Sequence, residues 1–485
     1  MTAFGITRWG AYIPRNRLER RTIASAHSWM APAQAAGAKG RRAFCNWDED
    51  TVAMAVEAAR TCLADCAAPS VESIYLASTS FPFADMQNSA VVAAALRLSG
   101  QLKSTDVGGS QRAGVSALLN ALSRGHESAL VIAAERPRAR PASTQEMQYG
   151  AGAAAFSLGS DEVAANLIAS SSSTALFVDH FRASGAAHDY FWEERWIREE
   201  GYLKIAVQTI NAALTRAGLK AASIKHFILA APTSSIAGNV ARAVGLNPES
   251  VASALDDECG YAGTAHGPLM LTNVLDRAQP GETVLLVNFG QGCDALILET
   301  TSLVAKCRPR TPTKHLLSAG KSDPSYLRMA SFYGEISPDF GMRAERDAKT
   351  ALSEQYRSSG QIYGFLAGKC SACGQVQFPQ LAYCVGCQAP ASKFEPLCLA
   401  EKSAAVVTHT ADWLSYHPAP PLYVGFAQFD GGARLLMEFV DVDPASFGVG
   451  TALRMVFRIK ERDEARGYSR YFWKAAAITP HAESN

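Results

Sequence analysis

Four cysteines carry the plainest chemistry in this chain. KCSACGQVQFPQLAYCVGCQ sets Cys370, Cys373, Cys384 and Cys387 as C-x2-C, ten residues, C-x2-C. Two such turns facing each other offer four thiolates at the corners of a tetrahedron, the arrangement zinc takes in structural sites. All four positions are filled by protein, so a zinc there is structural and not catalytic. The competing reading is a redox C-x2-C or a pair of free-thiol turns, and the paired spacing argues against it. Gly374 and Gly386 ease the turns around the sulfurs.

A second stretch raises a question of chemistry. STDVGGSQRAGVSALLNAL, residues 104–122, reads as a turn at Asp106 and Gly108–Gly109 feeding a helix. The start of a helix gathers unpaired N–H groups and favours negative charge, so it suits an activated thiol or an oxyanion. No Cys is present. Gln111 offers an amide donor there, Ser110 lacks a partner base and reads as a turn residue, and Arg112 either meets a phosphate or is solvated. CGYAGTAHGPLMLTNVLDRA, residues 259–278, is a similar glycine turn and helix carrying Tyr261 and His266. A tyrosine hydroxyl gives or takes a proton if its pKa is lowered, and a histidine near a helix start favours the neutral form. The plain alternative has Tyr261 filling volume and His266 packed in the core. Cys259 and Cys293 flank these turns and are either nucleophiles or, more commonly, inert buried thiols.

The elements holding these residues repeat. SIYLAST (73–79), the turn and helix from about 111, ALVIAAE (129–135) and AGAAAFSLG (151–159) run strand, helix, strand, strand. HFILAAPTSS (226–235), the 259–278 helix, TVLLVNFG (283–290) and CDALILET (293–300) follow in the same order. Continuous apolar strands alternating with helices predict buried sheets covered by helices, with a ligand at the seam between halves. The expected boundaries are 1–165 and 166–305 for the halves, 306–350 for a Pro- and Arg-rich linker, 351–400 for a zinc ribbon and 401–485 for a small barrel. The barrel reading rests on short strands and a hairpin at Asp430–Gly431–Gly432.

Composition narrows the class. The 485 residues carry 46 Lys and Arg against 45 Asp and Glu, which excludes nucleic-acid binding by bulk charge. No stretch approaches the roughly 20 apolar residues of a membrane span, and the first residues show no signal pattern. A soluble cytoplasmic protein with reduced thiols is the expectation.

Two resemblances follow from these residues. The ribbon, the strands after it and the DGGARLL hairpin resemble the zinc-ribbon OB-fold proteins that accompany thiolases. AKGRRAFCNWDEDTVAMAVEAAR (38–60) and VNFGQGCDALILE resemble the thiolase superfamily, nearest to 3-hydroxy-3-methylglutaryl-CoA synthase with ketoacyl-ACP synthase III close by. The resemblance implies an α/β, duplicated αβαβα fold followed by the ribbon and an OB-fold barrel. It puts Gln111 at the position of the nucleophilic Cys, Ala230 at that of the His, Tyr261 at that of the Asn, and the region of Ser80 at that of the general-acid Glu. A coenzyme A thioester is the implied substrate, with Lys39, Arg41 and Arg42, joined by Arg112, as candidates for its phosphates. DYFWEERWIREEGYLK (189–204) then either caps the acyl pocket or forms a surface helix.

Without the thiolate the usual acyl-enzyme is closed. Superfamily members that lack the Cys and pair with this module include aldolases with tyrosines in the pocket. Aldol addition or retro-aldol cleavage of a 3-hydroxyacyl-CoA is therefore the leading expectation, using Tyr261, Gln111, His266 and Ser110. The alternatives are a silent partner subunit that channels CoA substrates to an active thiolase or synthase, and thirdly a decarboxylating or Claisen-type acyltransferase. A homodimer or a hetero-oligomer with a thiolase-like protein is expected.

Overall fold

ALVIAAE is apolar at every position but its last, and all seven residues are buried in a strand, Ala129–Glu135. Such strands need cover on both faces, and the fold supplies it. The computed structural model describes residues 4–64, 71–233, 235–346 and 348–478. Its contacts divide into two compact units, Met1–Val92 with Ser99–Ile336, and Ala93–Leu98 with Ser337–Asn485.

The first unit holds a nine-stranded sheet. In chain order its strands are β1 (Gly5–Tyr12), β2 (Ser73–Ala77), β3 (Lys103–Val107), β4 (Ala129–Glu135), β5 (Gly152–Gly159), β6 (Ala165–Thr174), β7 (His226–Ala230), β8 (Thr283–Phe289) and β9 (Gly292–Thr300). Their spatial order is β7-β8-β9-β6-β1-β5-β4-β2-β3. Reading outward from the short antiparallel join of β1 to β6, the two halves match. Each runs antiparallel, antiparallel, parallel: β1-β5-β4-β2 on one side and β6-β9-β8-β7 on the other. Where the first half adds β3, the second has a single parallel bridge from Phe227 to Val251. The duplication expected from the sequence is therefore visible strand by strand.

Helices complete five layers. α1 (Thr51–Leu63) covers β1, β5 and β4 on one outside, and its N-terminus is capped by Asp50, which accepts the Ala53 N–H at 2.9 Å. α3 (Val207–Ala217) packs on β6 and β9, and α4 (Ser235–Val244) on β7, on the other outside. Between the two halves of the sheet lie α2 (Ala113–Arg124) and α5 (Gly263–Leu275), in contact with each other. α5 is buried at every position except Asn273, as a helix sandwiched between those halves must be.

Residues 306–350 depart from the expected linker. Helices form at Thr313–Ser318 and Tyr326–Tyr333, and Met329 packs with Leu18, Ile23, Phe44 and Met147. The contacts of the first unit run through to Ile336. A few apolar anchors were enough to dock a segment whose text reads as polar.

In the second unit, Leu366–Cys370, Val376–Gln377 and Phe394–Cys398 make a three-stranded ribbon. Five further strands, Ala404–Asp412, Leu422–Phe429, Arg434–Val440, Ala452–Asp463 and Tyr468–Ala477, close into a barrel in the order first, second, third, fifth, fourth. The Gly431 and Gly432 backbones take φ of +93° and +105°, which a hairpin of this tightness requires.

The central layer is the tightest constraint. A Cβ on Gly114 of α2 would lie 2.5 Å from the Thr264 carbonyl oxygen of α5 and 2.9 Å from Ala133 Cβ. Gly114→Ala is expected to cost about 2 kcal/mol or more, as overpacking of a filled core does, read as a lower urea midpoint.

Candidate active site

Gln111 sits in the turn just ahead of α2, and Tyr261 just ahead of α5. Although 150 residues apart, they meet: the Tyr261 hydroxyl donates to Gln111 Oε1 at 3.0 Å. Gln111 is 4% exposed and Tyr261 1%. Asn288, near the end of β8, donates its Nδ2 to the Gln111 carbonyl at 2.8 Å and so fixes the turn from the opposite side.

A second tyrosine joins them. Tyr261 N–H donates to the Gln148 carbonyl at 2.8 Å and Gly150 N–H to the Tyr261 carbonyl at 2.9 Å. This stitching sets the Tyr149 and Tyr261 rings 6.4 Å apart, and the Gln111 amide faces the Tyr149 hydroxyl as well. Tyr149 donates to Asp189 Oδ2 at 3.0 Å, and Arg182 holds Oδ1 at 2.6 Å. Burial pushes both phenols well above the usual tyrosine range; Asp179 and Glu135 add to the effect on Tyr261, and Asp189 to that on Tyr149. Both hydroxyls are therefore neutral donors. The lowered pKa that proton abstraction by Tyr261 requires is not what its surroundings produce.

A carboxylate stands beside the pair. Glu135, the last residue of β4, accepts from Thr79 N–H at 2.8 Å, Thr79 Oγ1 at 3.0 Å, Ser78 Oγ at 3.3 Å and Ser80 Oγ. The region of Ser80 is where the resemblance puts the family's acid, and Glu135 brings a carboxylate to Ser80 from a neighbouring strand. The signal for it was present: a lone acid closing an apolar run, at the carboxyl end of a buried strand where ligands of α/β sheets bind.

The segment over these residues is a hairpin, not the start of a helix. His180–Phe181 pairs with Tyr190–Phe191, and a helical turn, Glu194–Trp196, leads into a π-helical stretch, Ile197–Ala206. Phe191 packs against Tyr149 with centroids 6.0 Å apart, while Phe181, Tyr190 and Trp192 are exposed. Asp179, His180 and Asp189 all come from this hairpin, and none of them was singled out in the sequence.

Other expected residues lie elsewhere or are already occupied. His266 is closed at both nitrogens: Nδ1 accepts the Ala262 N–H at 3.2 Å and Nε2 donates to the Ala254 carbonyl at 2.8 Å. Burial lowers its pKa to about 4, so it is a neutral brace for the turn carrying Tyr261. Ser110 Oγ donates to the Gly290 carbonyl at 2.9 Å, the turn role read from the sequence. Arg112 does not await a phosphate; its Nη1 bonds the Ser173 carbonyl at 3.0 Å and Asp294 at 3.2 Å. Arg42 is likewise spent, buried and donating to the Glu146 carbonyl at 2.6 Å. Lys39 is exposed and Arg41 half-buried, and no contact among the described residues links either to Gln111 or Tyr261. Burial holds Cys259 and Cys293 as thiols, the former pushed up to about 12, which removes both as nucleophiles.

The four ribbon cysteines do come together. Their sulfurs lie within 4.8 Å of one another, with Cys370–Cys387 at 3.7 Å and Cys373–Cys384 at 3.5 Å. Zinc–sulfur bonds of about 2.3 Å in a tetrahedron put sulfurs roughly 3.7 Å apart, so the set fits zinc. Gly386 N–H points to Cys384 Sγ at 3.4 Å, and an ideal Cβ on Gly386 would already touch two sulfurs at 3.7 and 3.8 Å.

Comparison with known proteins agrees with this architecture. Residues 214–299 match the family model for the C-terminal part of 3-oxoacyl-[acyl-carrier-protein] synthase III, and residues 357–392 that for the ChsH2 rubredoxin-like zinc ribbon domain. The hydroxymethylglutaryl-CoA synthase of Methanocella arvoryzae is 28% identical over 346 residues, 69% of this chain and 99% of that protein. That of Methanosphaera stadtmanae is 26% identical over 342 residues, 68% of this chain and 99% of its own. The structure of MvaS in complex with 3-hydroxy-3-methylglutaryl coenzyme A superposes with a TM-score of 0.61 at 16% identity, covering 72% of this chain and 94% of that one. FabH from Pseudomonas aeruginosa PAO1 does so at 0.55 and 23% identity, covering 62% and 98%. The fold is thiolase-like, with a zinc ribbon on the same chain.

Two measurements check the site. His266 charges near pH 6.5 when unfolded but only near 4 when folded, so the unfolded state binds more protons between those values. Its contribution is fully present above about pH 6.5 and is lost as pH falls toward 4, a span of about 3 kcal/mol. Urea unfolding at about pH 7 and about pH 4.5 is expected to show that difference in wild type and a smaller one in His266→Gln. Purified full-length chain is expected to carry about one zinc, and Cys384→Ser close to none, by metal analysis.

Proposed function

We propose that this thiolase-like chain makes or breaks a carbon–carbon bond in a 3-hydroxyacyl-CoA by aldol chemistry, without a covalent acyl-enzyme. The observation that carries the reading is the buried hydrogen bond from Tyr261 to Gln111. The two side chains stand where the superfamily resemblance would put a carboxamide and a thiolate, and neither is a nucleophile in this state. Together they are a set of neutral donors. Tyr261 pins Gln111 Oε1, which leaves the amide N–H groups as donors for the thioester oxygen, the Tyr149 proton being held by Asp189. Such preorganised donors stabilise the enolate that retro-aldol cleavage generates.

The comparisons support the substrate class. The relatives are synthases of hydroxymethylglutaryl-CoA by name, and one structural neighbour holds that molecule, itself a 3-hydroxyacyl thioester. We read the closed barrel as an OB-fold, the zinc as structural, and the protein as a cytoplasmic homodimer or a partner of a thiolase-like chain. Lys39 and Arg41 remain candidates for the CoA phosphates.

The test is a panel of 3-hydroxyacyl-CoAs, including 3-hydroxybutanoyl-CoA and 3-hydroxy-3-methylglutaryl-CoA, assayed for a shorter acyl-CoA and a released carbonyl compound. Wild type is expected to turn over at least one. Tyr261→Phe is expected to lower kcat by about 100-fold or more, because it frees the Gln111 amide that donates to the oxyanion, with acyl-CoA affinity unchanged. A fully active Tyr261→Phe protein rejects the assignment. No turnover by the pure protein, together with copurification of a Cys-bearing homologue, favours the silent-partner reading instead.

A further inference from the structure

Aldol chemistry needs a base at the substrate's C3 hydroxyl, and the residues described so far do not supply it. Tyr149 and Tyr261 are held neutral. Both nitrogens of His266 are closed by backbone. Glu135 accepts from four donors, and Asp189 is shared between Tyr149 and Arg182.

We propose that His180, on the hairpin over Tyr149, is the catalytic base, oriented by Asp179. Its Nδ1 lies 2.8 Å from Asp179 Oδ2. Asp179 is itself fixed, for Gln291 Nε2 donates to Oδ1 at 2.5 Å and also to the His180 carbonyl at 3.0 Å. A carboxylate on Nδ1 selects the tautomer with its hydrogen there and leaves the Nε2 lone pair available. Nε2 has no hydrogen-bond partner among the described residues. His180 is 8% exposed, its ring stacked on Phe191 at 5.3 Å and 27°. Phe191 in turn packs on Tyr149, and Tyr149 on Tyr261, so a row of rings joins the dyad to the donors. Of the charges acting on the Tyr261 phenol, Asp179 has the largest effect.

This inference rests on the aldolase reading and adds the proton path to it. Nε2 takes the C3 hydroxyl proton. The O–H electrons form the new carbonyl, and the C2–C3 bond pair moves into the enolate of the shorter thioester, its charge on the oxygen facing the Gln111 amide. The Nε2–H then returns the proton to C2. Nothing is oxidised or reduced, and the base ends as it began.

The experiment compares wild type, His180→Ala and Asp179→Asn on the panel substrate that wild type cleaves, with melting temperature and acyl-CoA affinity measured alongside. His180→Ala is expected to lose about 100-fold or more in kcat with affinity nearly unchanged, and added imidazole to restore part of the rate. Asp179→Asn is expected to lose at least about tenfold, because it reverses the tautomer preference. If His180→Ala melts early, His180→Gln with the same imidazole addition decides. Activity of either His180 variant within about twofold of wild type overturns the base assignment and leaves the aldolase reading standing, as does a loss that imidazole never restores. Absence of turnover in wild type overturns both.

Discussion

Gly114 has no side chain, and the backbone of the opposing helix occupies the space where one would begin. That approach, α2 against the Thr264 carbonyl of α5, brings the leading turns of two symmetry-related helices to one point. Each turn alone is an ordinary glycine-rich start. Pressed together between the two halves of the sheet, they place an amide and a phenol in hydrogen-bond contact across 150 residues of chain. Asn288 and the Gln148–Gly150 backbone then lock the main chain of the two turns from outside. The site depends on this approach before it depends on any residue in it.

Much of the scaffold was legible because buried strands must be apolar throughout. ALVIAAE and TVLLVNF could only be strands shielded on both faces, and the structure places both there. The pairing of Gln111 with Tyr261 was also readable, since the matched order of elements put them at equivalent turns. Charged residues were read less well. Arg112 looked free for a phosphate because its partner, Asp294, is 182 residues away on β9. Arg42 looked like part of a loop, yet it lies in a short strand, Arg41–Phe44, and donates inward. A guanidinium's partner is a fact of topology, and a local window of sequence does not contain it.

His180 illustrates the opposite failure. Asp179 and His180 are neighbours in a mostly apolar stretch, ALFVDHF, and adjacent residues in a sequence give no angle between their side chains. Only the turn of the hairpin, and Gln291 reaching across from the β8–β9 loop, converts the neighbours into an oriented dyad. The same segment was expected to be helical from Asp189 because its aromatics and charges interleave. Two short strands formed first, and helix begins at Glu194.

The hairpin's strand pairing is short: two residue pairs, Tyr190 with Phe181 and Phe191 with His180, extended by the Trp192 N–H on the Asp179 carbonyl. The layers beneath it are packed to the point where a methyl group is an intrusion. Variation in this protein therefore has unequal freedom. Phe181, Tyr190 and Trp192 of the hairpin are exposed and can change without displacing a packed neighbour, whereas Gly114 cannot. The slender cover tolerates a change of shape or polarity, and the crowded middle does not.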